Sequence, residues 1–478
     1  MILRTAPGTQ AVIDLEDRAH EILFESLDEG LPLWPQIRAT VWSALNTTEY
    51  GLSRPSVGTP SRLGAYAHIA RSFVPSRWDA SRRARKSDVC FLVDGGTVAA
   101  AGDREANWLV GPLALASGPD AAIVQWRTLP GRWGQPAIDK TWSLEPASVR
   151  AQIRARLSRN DPSDRVKRIV HETLRLLDAD IAEETVDAIT AGAIAKAGTS
   201  AFELAEFRRL LDRVQPRVVI MEDASYGTRA PLIATMKERG IVVAEPQHGW
   251  IGPSHAAYNY GAAMYDDLLR VALPDHLLTF GDEWSKGLRF PGEVTAVGKP
   301  HLDAAASEFS LPYEQRTEVL VVSSTTDPEQ MSDVVLSLRA LLPTDLVVMF
   351  RPHPSERPVV AQRYPRLVDI DGVRIDDRGD VYETLGVARA VVGMASTVLF
   401  EATAFGCQVF ALESPMAEYY VGDRFGPPLD IGGLERVAVA VSRPTGSADV
   451  ATRDNGLWAP DPAANFRSWL AKVQTRVD

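Results

Sequence analysis

Two carboxylates and a histidine lie just beyond apolar runs of the chain, where side chains can act on a ligand. Glu222 and Asp223 follow the run 216–221, and His248 comes shortly after the run 241–244. A carboxylate or an imidazole can take a proton from an attacking hydroxyl, and a carboxylate can also act as a nucleophile. Neighbouring side chains point in different directions at a strand end, so we expect one of the two carboxylates to be catalytic. The alternative is that both only cap a turn or a helix.

The segment around His248 supplies further candidate contacts to a substrate. Gln247 and Gly249 flank the histidine, and His255 and Tyr258 lie just beyond it. A glycine at 249 would let the backbone approach a ligand closely. We therefore expect Gln247, Gly249, His255 and Tyr258 to bind substrate. His248 itself could act as a base or as a donor to a leaving phosphate.

Three polar loops in the second half of the chain also follow apolar runs. They span residues 323–326, 351–356 and 393–397. In an open parallel sheet, ligands bind outside the carboxyl ends of the strands, so these loops predict a binding site. Ser323 and Ser324 belong to the first loop and are expected to contact the ligand.

The loop 393–397 is the most informative of the three. Ser396 is well placed to cap the helix that begins at Thr397, and the free N–H groups of a helix start suit a phosphate. Glu401 lies one turn deeper on the same helix face as Thr397 and could accept hydrogen bonds from ribose hydroxyls. The alternative is that Ser396 is only a cap.

The loop 351–356 places a histidine between two prolines. Such a backbone is stiff and extended, which is useful where a side chain must hold a fixed ligand. His353, followed by Pro354, can hydrogen-bond a phosphate or a base edge, and Arg351 can pair with an anion. The alternative is that His353 is structural.

Short apolar runs alternate with helical spacings along the chain, which predicts an α/β fold with parallel sheets. Strands are predicted at 89–93, 121–126, 216–221, 241–244, 276–280, 293–297, 318–322, 346–350, 373–375, 390–392 and 409–412. Helices are predicted at 148–157, 165–193, 201–214, 230–238, 332–341, 381–385, 397–404 and 463–477. A turn or loop is expected at 30–35 because of its two prolines. Two α/β units result, with a boundary near 265–274.

Composition excludes several classes of protein. The chain has 478 residues with 51 Lys and Arg against 62 Asp and Glu, a net charge of −11, which argues against a protein that coats nucleic acid. The two cysteines, Cys90 and Cys407, form no metal-type spacing and favour a reduced cytosol. The absence of a long apolar run predicts a cytoplasmic protein whose contact with the inner membrane face would be peripheral.

The pairs His353–Pro354 and Ser396–Thr397 resemble the nucleotide-binding His-Pro and Ser/Thr motifs of GT-B glycosyltransferases, over roughly residues 274–412. The likeness is greatest to bacterial capsule and lipopolysaccharide transferases that use CMP-activated sugars, such as sialyltransferases and Kdo transferases. The segment 247–249 also resembles one in capsule-polysaccharide transferases. Sialyltransferases have glycine directly after the acidic pair, and Ala224 stands there instead, which argues against sialic acid.

The resemblance implies a GT-B fold, with two Rossmann-like parallel-sheet domains facing across a cleft. Residues 1–270 would form the acceptor-side domain with an irregular N-terminal extension, 271–440 the nucleotide-sugar-binding domain, and 441–478 a tail and helix packing back on the first domain. It implies a glycosyltransferase that moves a sugar from a nucleotide donor, with CMP favoured over UDP or CDP, to a surface-glycan or glycoconjugate acceptor. No cofactor or metal is expected, because Arg351, His353 and the helix start at Ser396 would stabilise the leaving phosphate.

Three other functions fit the same motifs. One is a CDP-polyol phosphotransferase of the teichoic-acid type, and another is an isomerase like UDP-N-acetylglucosamine 2-epimerase. The irregular first 85 residues favour an acceptor platform over an epimerase. The third is a nucleotide-sugar-binding protein without catalysis. The sugar, the linkage, the stereochemical course and the oligomeric state stay open.

Overall fold

The computed structural model describes residues 5–27, 30–50, 76–94, 97–101, 103–126, 134–158, 161–325, 327–442 and 456–477. Residues 51–75 of the predicted N-terminal extension, residues 443–455 of the predicted tail, and Thr326 lie outside these ranges. The described part of the chain is an α/β structure with two parallel sheets and one small mixed sheet, as the sequence predicts.

The strands, numbered along the chain, are β1 (Val89–Val93), β2 (Val98–Ala101), β3 (Arg104–Asn107), β4 (Ala121–Gln125), β5 (Gln135–Pro136), β6 (Thr141–Ser143), β7 (Val218–Met221), β8 (Val242–Pro246), β9 (His276–Thr279), β10 (Glu293–Ala296), β11 (Glu318–Val322), β12 (Val347–Arg351), β13 (Val373–Ile375), β14 (Ala388–Gly393) and β15 (Gln408–Ala411).

The α-helices are α1 (Pro7–Asp17), α2 (Trp34–Tyr50), α3 (Ala80–Arg83), α4 (Gly111–Ala116), α5 (Glu145–Leu157), α6 (Ser163–Arg175), α7 (Glu183–Val214), α8 (Ala230–Lys237), α9 (Asp267–Arg270), α10 (Pro300–Phe309), α11 (Pro328–Leu341), α12 (Val360–Arg363), α13 (Val381–Val387), α14 (Thr397–Ala404), α15 (Pro415–Tyr420), α16 (Glu435–Ser442) and α17 (Pro462–Val477).

The first large sheet has the strand order β10-β9-β8-β7-β1-β4-β6, with every pair parallel. The chain runs outward from β1 in one direction and from β7 in the other. Such a reversal leaves a crevice outside the carboxyl ends of the two central strands. All five residues of β1 are buried, which is typical of a parallel sheet covered on both faces.

The second large sheet has the order β13-β12-β11-β14-β15 and is also parallel throughout. Its strand order reverses between β11 and β14, so the corresponding crevice lies outside the ends of these two strands. The predicted loops at 323–326 and 393–397 follow these same two strands, and the loop at 351–356 follows β12, their neighbour.

Strands β9 and β10 belong to the first sheet, whereas the sequence places them in the second unit. His276 of β9 pairs with Ala244 of β8 and with Glu293 of β10. An apolar run shows where a strand lies but carries no information on its partner. The stretch before β9 contains the fully buried Tyr260 and Leu269, so it packs on the first unit and does not form a linker at 265–274.

Two helix predictions also need correction. The predicted helix 165–193 is interrupted after Arg175, and its second part is continuous with the predicted helix 201–214 in α7, which has 32 residues. Gly192 and Gly198 lie inside α7 with no atom within 4 Å of the position a Cβ would take, so they do not break it. Near the N-terminus, α2 already begins at Trp34, and Pro35 stands in its first turn, where proline is tolerated.

The C-terminal helix α17 packs on the first sheet. Phe466 lies 6.3 Å from Phe91 of β1, and Trp469 lies 5.6 Å from His276 of β9, measured between ring centroids. None of the helices in the described ranges is long and apolar enough to cross a membrane.

Candidate active site

Glu222 follows β7 and points into the protein. Only 3% of its surface is exposed, and one carboxylate oxygen accepts a hydrogen bond from the backbone N–H of Asp94 at 2.7 Å. The hydroxyl of Thr97 donates to the other carboxylate oxygen at 3.0 Å. Glu222 therefore ties the loop after β7 to the loop after β1, across the crevice of the first sheet.

Burial raises the pKa of Glu222 to about 7, while the hydrogen bonds from Asp94 and Thr97 oppose that rise. A carboxyl group with a raised pKa binds a proton more tightly in the folded than in the unfolded protein. The folded state therefore loses stability as the pH rises from the ordinary value of 4.5 towards 7.

Replacing Glu222 by glutamine is expected to remove this part of the pH dependence. The wild type should lose about 3 kcal/mol more free energy of unfolding than Glu222→Gln between pH 4.5 and 8, because each pKa unit corresponds to about 1.4 kcal/mol. Urea unfolding at a series of pH values measures the difference. Parallel stability curves for the two proteins would show that Glu222 does not titrate in this range.

Asp223, the next residue, points away from the interior. Its backbone is left-handed, with φ of 55°, and 38% of its side chain is exposed. The carboxylate oxygen Oδ1 lies 3.4 Å from Nε2 of His248, whose side chain is 28% exposed. Burial lowers the pKa of His248 below its usual value, and the charge of Asp223 opposes that shift. The structure thus brings Asp223 and His248 together and separates Glu222 from them.

The turn that carries Asp223 rests on the beginning of α2. Gly227 has φ of 74°, and a Cβ built on it would lie 1.9 Å from the carbonyl oxygen of Pro35. Only glycine fits both the left-handed backbone and this close approach. The backbone N–H of Ser225 donates to Glu245 at 2.8 Å, which holds the turn from the other side.

Gln247, predicted to bind substrate, instead holds the loop of His248. It is 1% exposed, its Oε1 accepts from the backbone N–H of Phe280 at 2.7 Å, and its Nε2 donates to the carbonyl of Gly249 at 2.8 Å. Both ends of the amide are therefore bonded to the protein. A Cβ placed on Gly249 meets no atom within 4 Å, so the space beside that residue is open.

His255 and Tyr258 are turned inward as well. His255 is 8% exposed and its Nε2 lies 3.0 Å from the hydroxyl of Tyr226. Tyr258 is 1% exposed and donates to Glu245 at 3.0 Å. Their predicted contacts with a substrate stay predictions, and short-range sequence spacing does not show which side of a loop faces solvent. Both residues support the turn that carries Asp223.

Glu245 was not among the predicted site residues. It has no exposed surface, and burial raises its pKa to about 8. It accepts hydrogen bonds from Ser225 and Tyr258, so it joins the loop after β7 to the segment that follows β8. An acidic residue at the end of an otherwise apolar strand is the sequence signal that could have identified it.

Ser396 caps α14, as predicted. Its backbone is extended, and its side-chain oxygen accepts from the backbone N–H of Val398 at 3.3 Å. The backbone N–H of Ala395 donates to the hydroxyl of Ser324 at 3.4 Å. The loops after β11 and β14 therefore meet in the crevice of the second sheet, next to Thr397 at the start of the helix.

His353 remains exposed at the end of β12. Its Nδ1 lies 2.8 Å from the hydroxyl of Ser355, which leaves Nε2 facing outward, and partial burial lowers the pKa of the imidazole. Arg351 differs from the prediction, because its guanidinium forms an ion pair with Asp376 and is 11% exposed. Its charge is already matched within the protein, whereas His353 is exposed, and the predicted ligand contacts of this loop stay predictions.

Glu356 organises the His-Pro loop and was not predicted. It is 2% exposed and accepts hydrogen bonds from the hydroxyl of Ser323 at 2.6 Å and from the backbone N–H of His353 at 3.0 Å. Tyr364 donates to its other oxygen at 2.8 Å. Ser323 is therefore directed into the protein, at 5% exposure, and not towards a ligand. Glu356 lies in the predicted loop, but its burial is not visible in the sequence.

Glu401 lies at the junction of the two units. It is 7% exposed and forms an ion pair with Lys299, which follows β10 and is 5% exposed. The Lys299 ammonium also lies 4.9 Å from the ring centroid of Phe280. The carboxylate of Glu401 is thus engaged across the domain interface, while its predicted contact with a ribose stays a prediction.

The loop of His248 reaches the second unit. Trp250 donates through its indole N–H to the carbonyl of Tyr420 at 2.8 Å, and the two ring centroids are 4.1 Å apart. Tyr420 belongs to α15, which follows the last strand of the second sheet. The segment after β8 therefore contacts the helix after β15, and the two units meet near the carboxyl ends of their sheets.

No group of three or more His, Cys, Asp or Glu side chains within the described ranges is arranged to hold a metal ion. The two parallel sheets, with Rossmann-like strand orders and a shared cleft, define the architecture as GT-B.

Similar overall structures are known among nucleotide-sugar enzymes. A UDP-GlcNAc 2-epimerase from Methanocaldococcus jannaschii matches with a TM-score of 0.45 and 11% identity, over 81% of this chain and 99% of its own. A UDP-N-acetylglucosamine 2-epimerase from Rickettsia bellii matches with a TM-score of 0.42 and 12% identity, over 82% and 97% of the two chains. A UDP-forming α,α-trehalose-phosphate synthase from Burkholderia vietnamiensis matches with a TM-score of 0.41 and 12% identity, over 83% and 98%. No protein-family model and no curated protein matches the sequence.

Proposed function

We propose that the protein is a glycosyltransferase that moves a sugar from a nucleotide-activated donor to a hydroxyl group of an acceptor. The observation that carries the proposal is the accessible pair Asp223 and His248 at the strand ends of the first unit, together with the capped helix start at Ser396 in the second unit. Transfer of a proton from the acceptor requires a base such as the Asp223–His248 pair. A departing phosphate is stabilised by free backbone N–H groups such as those at the helix start.

Asp223 is the base in this proposal. Nε2 of His248 lies 3.4 Å from Oδ1 of Asp223, and the proposal places the imidazole proton on Nε2, which leaves the second carboxylate oxygen for the acceptor hydroxyl. The other imidazole nitrogen, Nδ1, is buried within the described structure and cannot reach a substrate there. His248 therefore orients Asp223, which takes the proton as the acceptor oxygen forms its bond to the anomeric carbon.

The donor binds the second unit. As the bond between the anomeric carbon and the phosphate oxygen breaks, its electron pair leaves with the nucleotide. The N–H groups at the start of α14 and the imidazole of His353 stabilise the negative charge that develops there. The His353–Pro354 and Ser396–Thr397 motifs support CMP as the favoured nucleotide, ahead of UDP and CDP. A surface glycan or glycoconjugate in the cytoplasm is the proposed acceptor.

A thermal-shift screen with CMP, CDP, UDP and GDP tests the donor half of the proposal. A nucleotide at about 100 times its Kd stabilises the folded protein by about 2.7 kcal/mol, so at least one of the four should raise the Tm. Ser396→Ala and His353→Ala should each reduce that rise, and Ala191→Ser on the exposed surface of α7 is the control. If no nucleotide changes the Tm, the protein does not bind a nucleotide donor and the proposal is wrong.

A further inference from the structure

A pocket of about 660 Å³ lies at the crevice of the first sheet, between the ends of β1 and β7. The strand ends supply one side of it, through Asp94 after β1, Trp126 after β4, and Asp223 and Arg229 after β7. This volume is within the usual range for small-molecule sites. The pocket includes the carboxylate that we propose as the base, so it lies where an acceptor would have to bind.

The opposite wall of the pocket comes from two helices and combines an apolar patch with polar side chains. The apolar patch consists of Ile37 of α2 and Ile189, Gly192 and Ala193 of α7, and the polar side chains are Gln36, Thr40, Lys196 and Glu203. The two helices are in contact with each other, and they cover the crevice of the sheet without belonging to it. A ligand in this α2–α7 pocket therefore meets the strand ends on one side and, on the other, an apolar patch bordered by polar side chains.

Both cations among the described lining residues are held by the protein. Lys196 forms an ion pair with Glu203, seven residues along α7. Arg229 lies 3.6 Å from Asp94 and stacks on Trp126, with 5.1 Å between its guanidinium carbon and the ring centroid. A phosphate or sulfate entering the pocket would compete with Asp94 or Glu203 for these cations.

The carboxylates of the α2–α7 pocket also disfavour an anion. Asp94 and Glu203 are paired with the two cations, whereas the group that faces Asp223 in the described structure is His248, whose pKa is lowered by burial. A carboxylate without a cation beside it repels a negatively charged ligand. Hydroxyl groups, in contrast, donate readily to a carboxylate.

We propose that the α2–α7 pocket binds the acceptor, and that this acceptor is an uncharged sugar or polyol with an apolar face or an apolar aglycone. The role as acceptor site rests on the proposed function, while the chemistry of the ligand rests on the pocket itself. The hydroxyl groups lie on the side of Asp223, and the apolar part lies against α2 and α7.

Two glycines of α7 give a matched pair of variants. A Cβ at Gly192 or at Gly198 meets no atom within 4 Å, so neither substitution forces the backbone to move. Gly192 lines the pocket, whereas Gly198 lies six residues further on, about 240° around the helix, and does not. A tryptophan at 192 therefore fills the pocket and a tryptophan at 198 leaves it open.

Calorimetric titration with n-hexyl β-D-glucopyranoside and with glucose 6-phosphate tests the proposal. The wild type and Gly198→Trp should bind the hexyl glucoside equally, and Gly192→Trp should bind it at least roughly tenfold more weakly. Glucose 6-phosphate should bind the wild type at least roughly tenfold more weakly than the hexyl glucoside. If Gly192→Trp does not fold, Gly192→Leu replaces it with the same expected direction.

The nucleotide-induced rise in Tm separates this proposal from the proposed function. It should be the same in the wild type and in both variants, since the pocket is in the first unit. Nucleotide binding without hexyl glucoside binding overturns the pocket proposal and leaves the glycosyltransferase proposal intact. Glucoside binding that Gly192→Trp weakens, in a protein that binds no nucleotide, supports the pocket and overturns the glycosyltransferase. Equal effects of both variants, or tighter binding of glucose 6-phosphate, overturn the pocket proposal.

Discussion

Asp223→Asn is expected to reduce the rate of sugar transfer by a factor of about 10² to 10⁴, the usual contribution of a general base. The amide keeps the size of the side chain and its contact with His248 but cannot take a proton from the acceptor. Because 38% of the side chain is exposed and it makes few contacts, the Tm should change little. The thermal-shift screen identifies the nucleotide. The rate is then measured as release of that nucleotide from its sugar donor, with the acceptor at saturating concentration.

The matched control is Glu222→Gln, which makes the same chemical change at the neighbouring residue. Glu222 is 3% exposed and bonded to Asp94 and Thr97, so its replacement should alter the pH dependence of stability and leave turnover within a few-fold of the wild type. If Glu222→Gln loses transfer and Asp223→Asn retains it, the two carboxylates have been assigned the wrong way round. Equal nucleotide-induced rises in Tm in both variants would show that any loss lies in the chemical step.

The comparison of these two acids shows what a sequence can specify. Both follow a strand of four buried residues, and the sequence correctly indicates that the end of this strand is a site of polar chemistry. The direction of each side chain depends on the left-handed backbone at Asp223 and on the Thr97 loop that receives Glu222. Thr97 is 125 residues away from Glu222 along the chain, so no local pattern could reveal the contact.

The same limit applies to the buried acids Glu245 and Glu356. Each accepts several hydrogen bonds and fixes a loop that carries a predicted site residue. Their partners come from other segments, and the sequence shows only that an acid stands beside an apolar run. In contrast, the strand Val89–Val93 and the helix Thr397–Ala404 agree with the prediction at both ends, because apolar run length and an N-cap serine are local signals.

The placement of β9 and β10 in the first sheet also explains how the two units are held together. β10 ends beside Lys299, which therefore belongs to the first unit, while Glu401 belongs to the helix that begins at the proposed phosphate site. Their ion pair spans the junction, and the Lys299 ammonium lies 4.9, 5.9 and 5.8 Å from the ring centroids of Phe280, Tyr382 and Trp458. If either Lys299 or Glu401 lost its partner, the remaining unpaired charge among these apolar side chains would strongly destabilise the folded protein.

Lys299→Ala is accordingly expected to lower the free energy of unfolding by about 3–5 kcal/mol, the usual effect of removing one partner from a buried ion pair. Lys299→Met combined with Glu401→Leu should recover most of that loss, because no unpaired charge then remains. Urea unfolding followed by tryptophan fluorescence measures both, since Trp284 and Trp458 lie at this junction.

The surface pair Lys140–Asp120 provides the control for this comparison. Its lysine and aspartate side chains are 27% and 79% exposed, and exposed ion pairs contribute about 0–1 kcal/mol, so Lys140→Ala should change stability little. A loss in Lys299→Ala no larger than that of Lys140→Ala would mean that water reaches Glu401 and that the ion pair does not hold the units together. If the double variant is as unstable as Lys299→Ala, the loss of stability comes from packing around the lysine side chain. The unpaired carboxylate of Glu401 would then not be its cause.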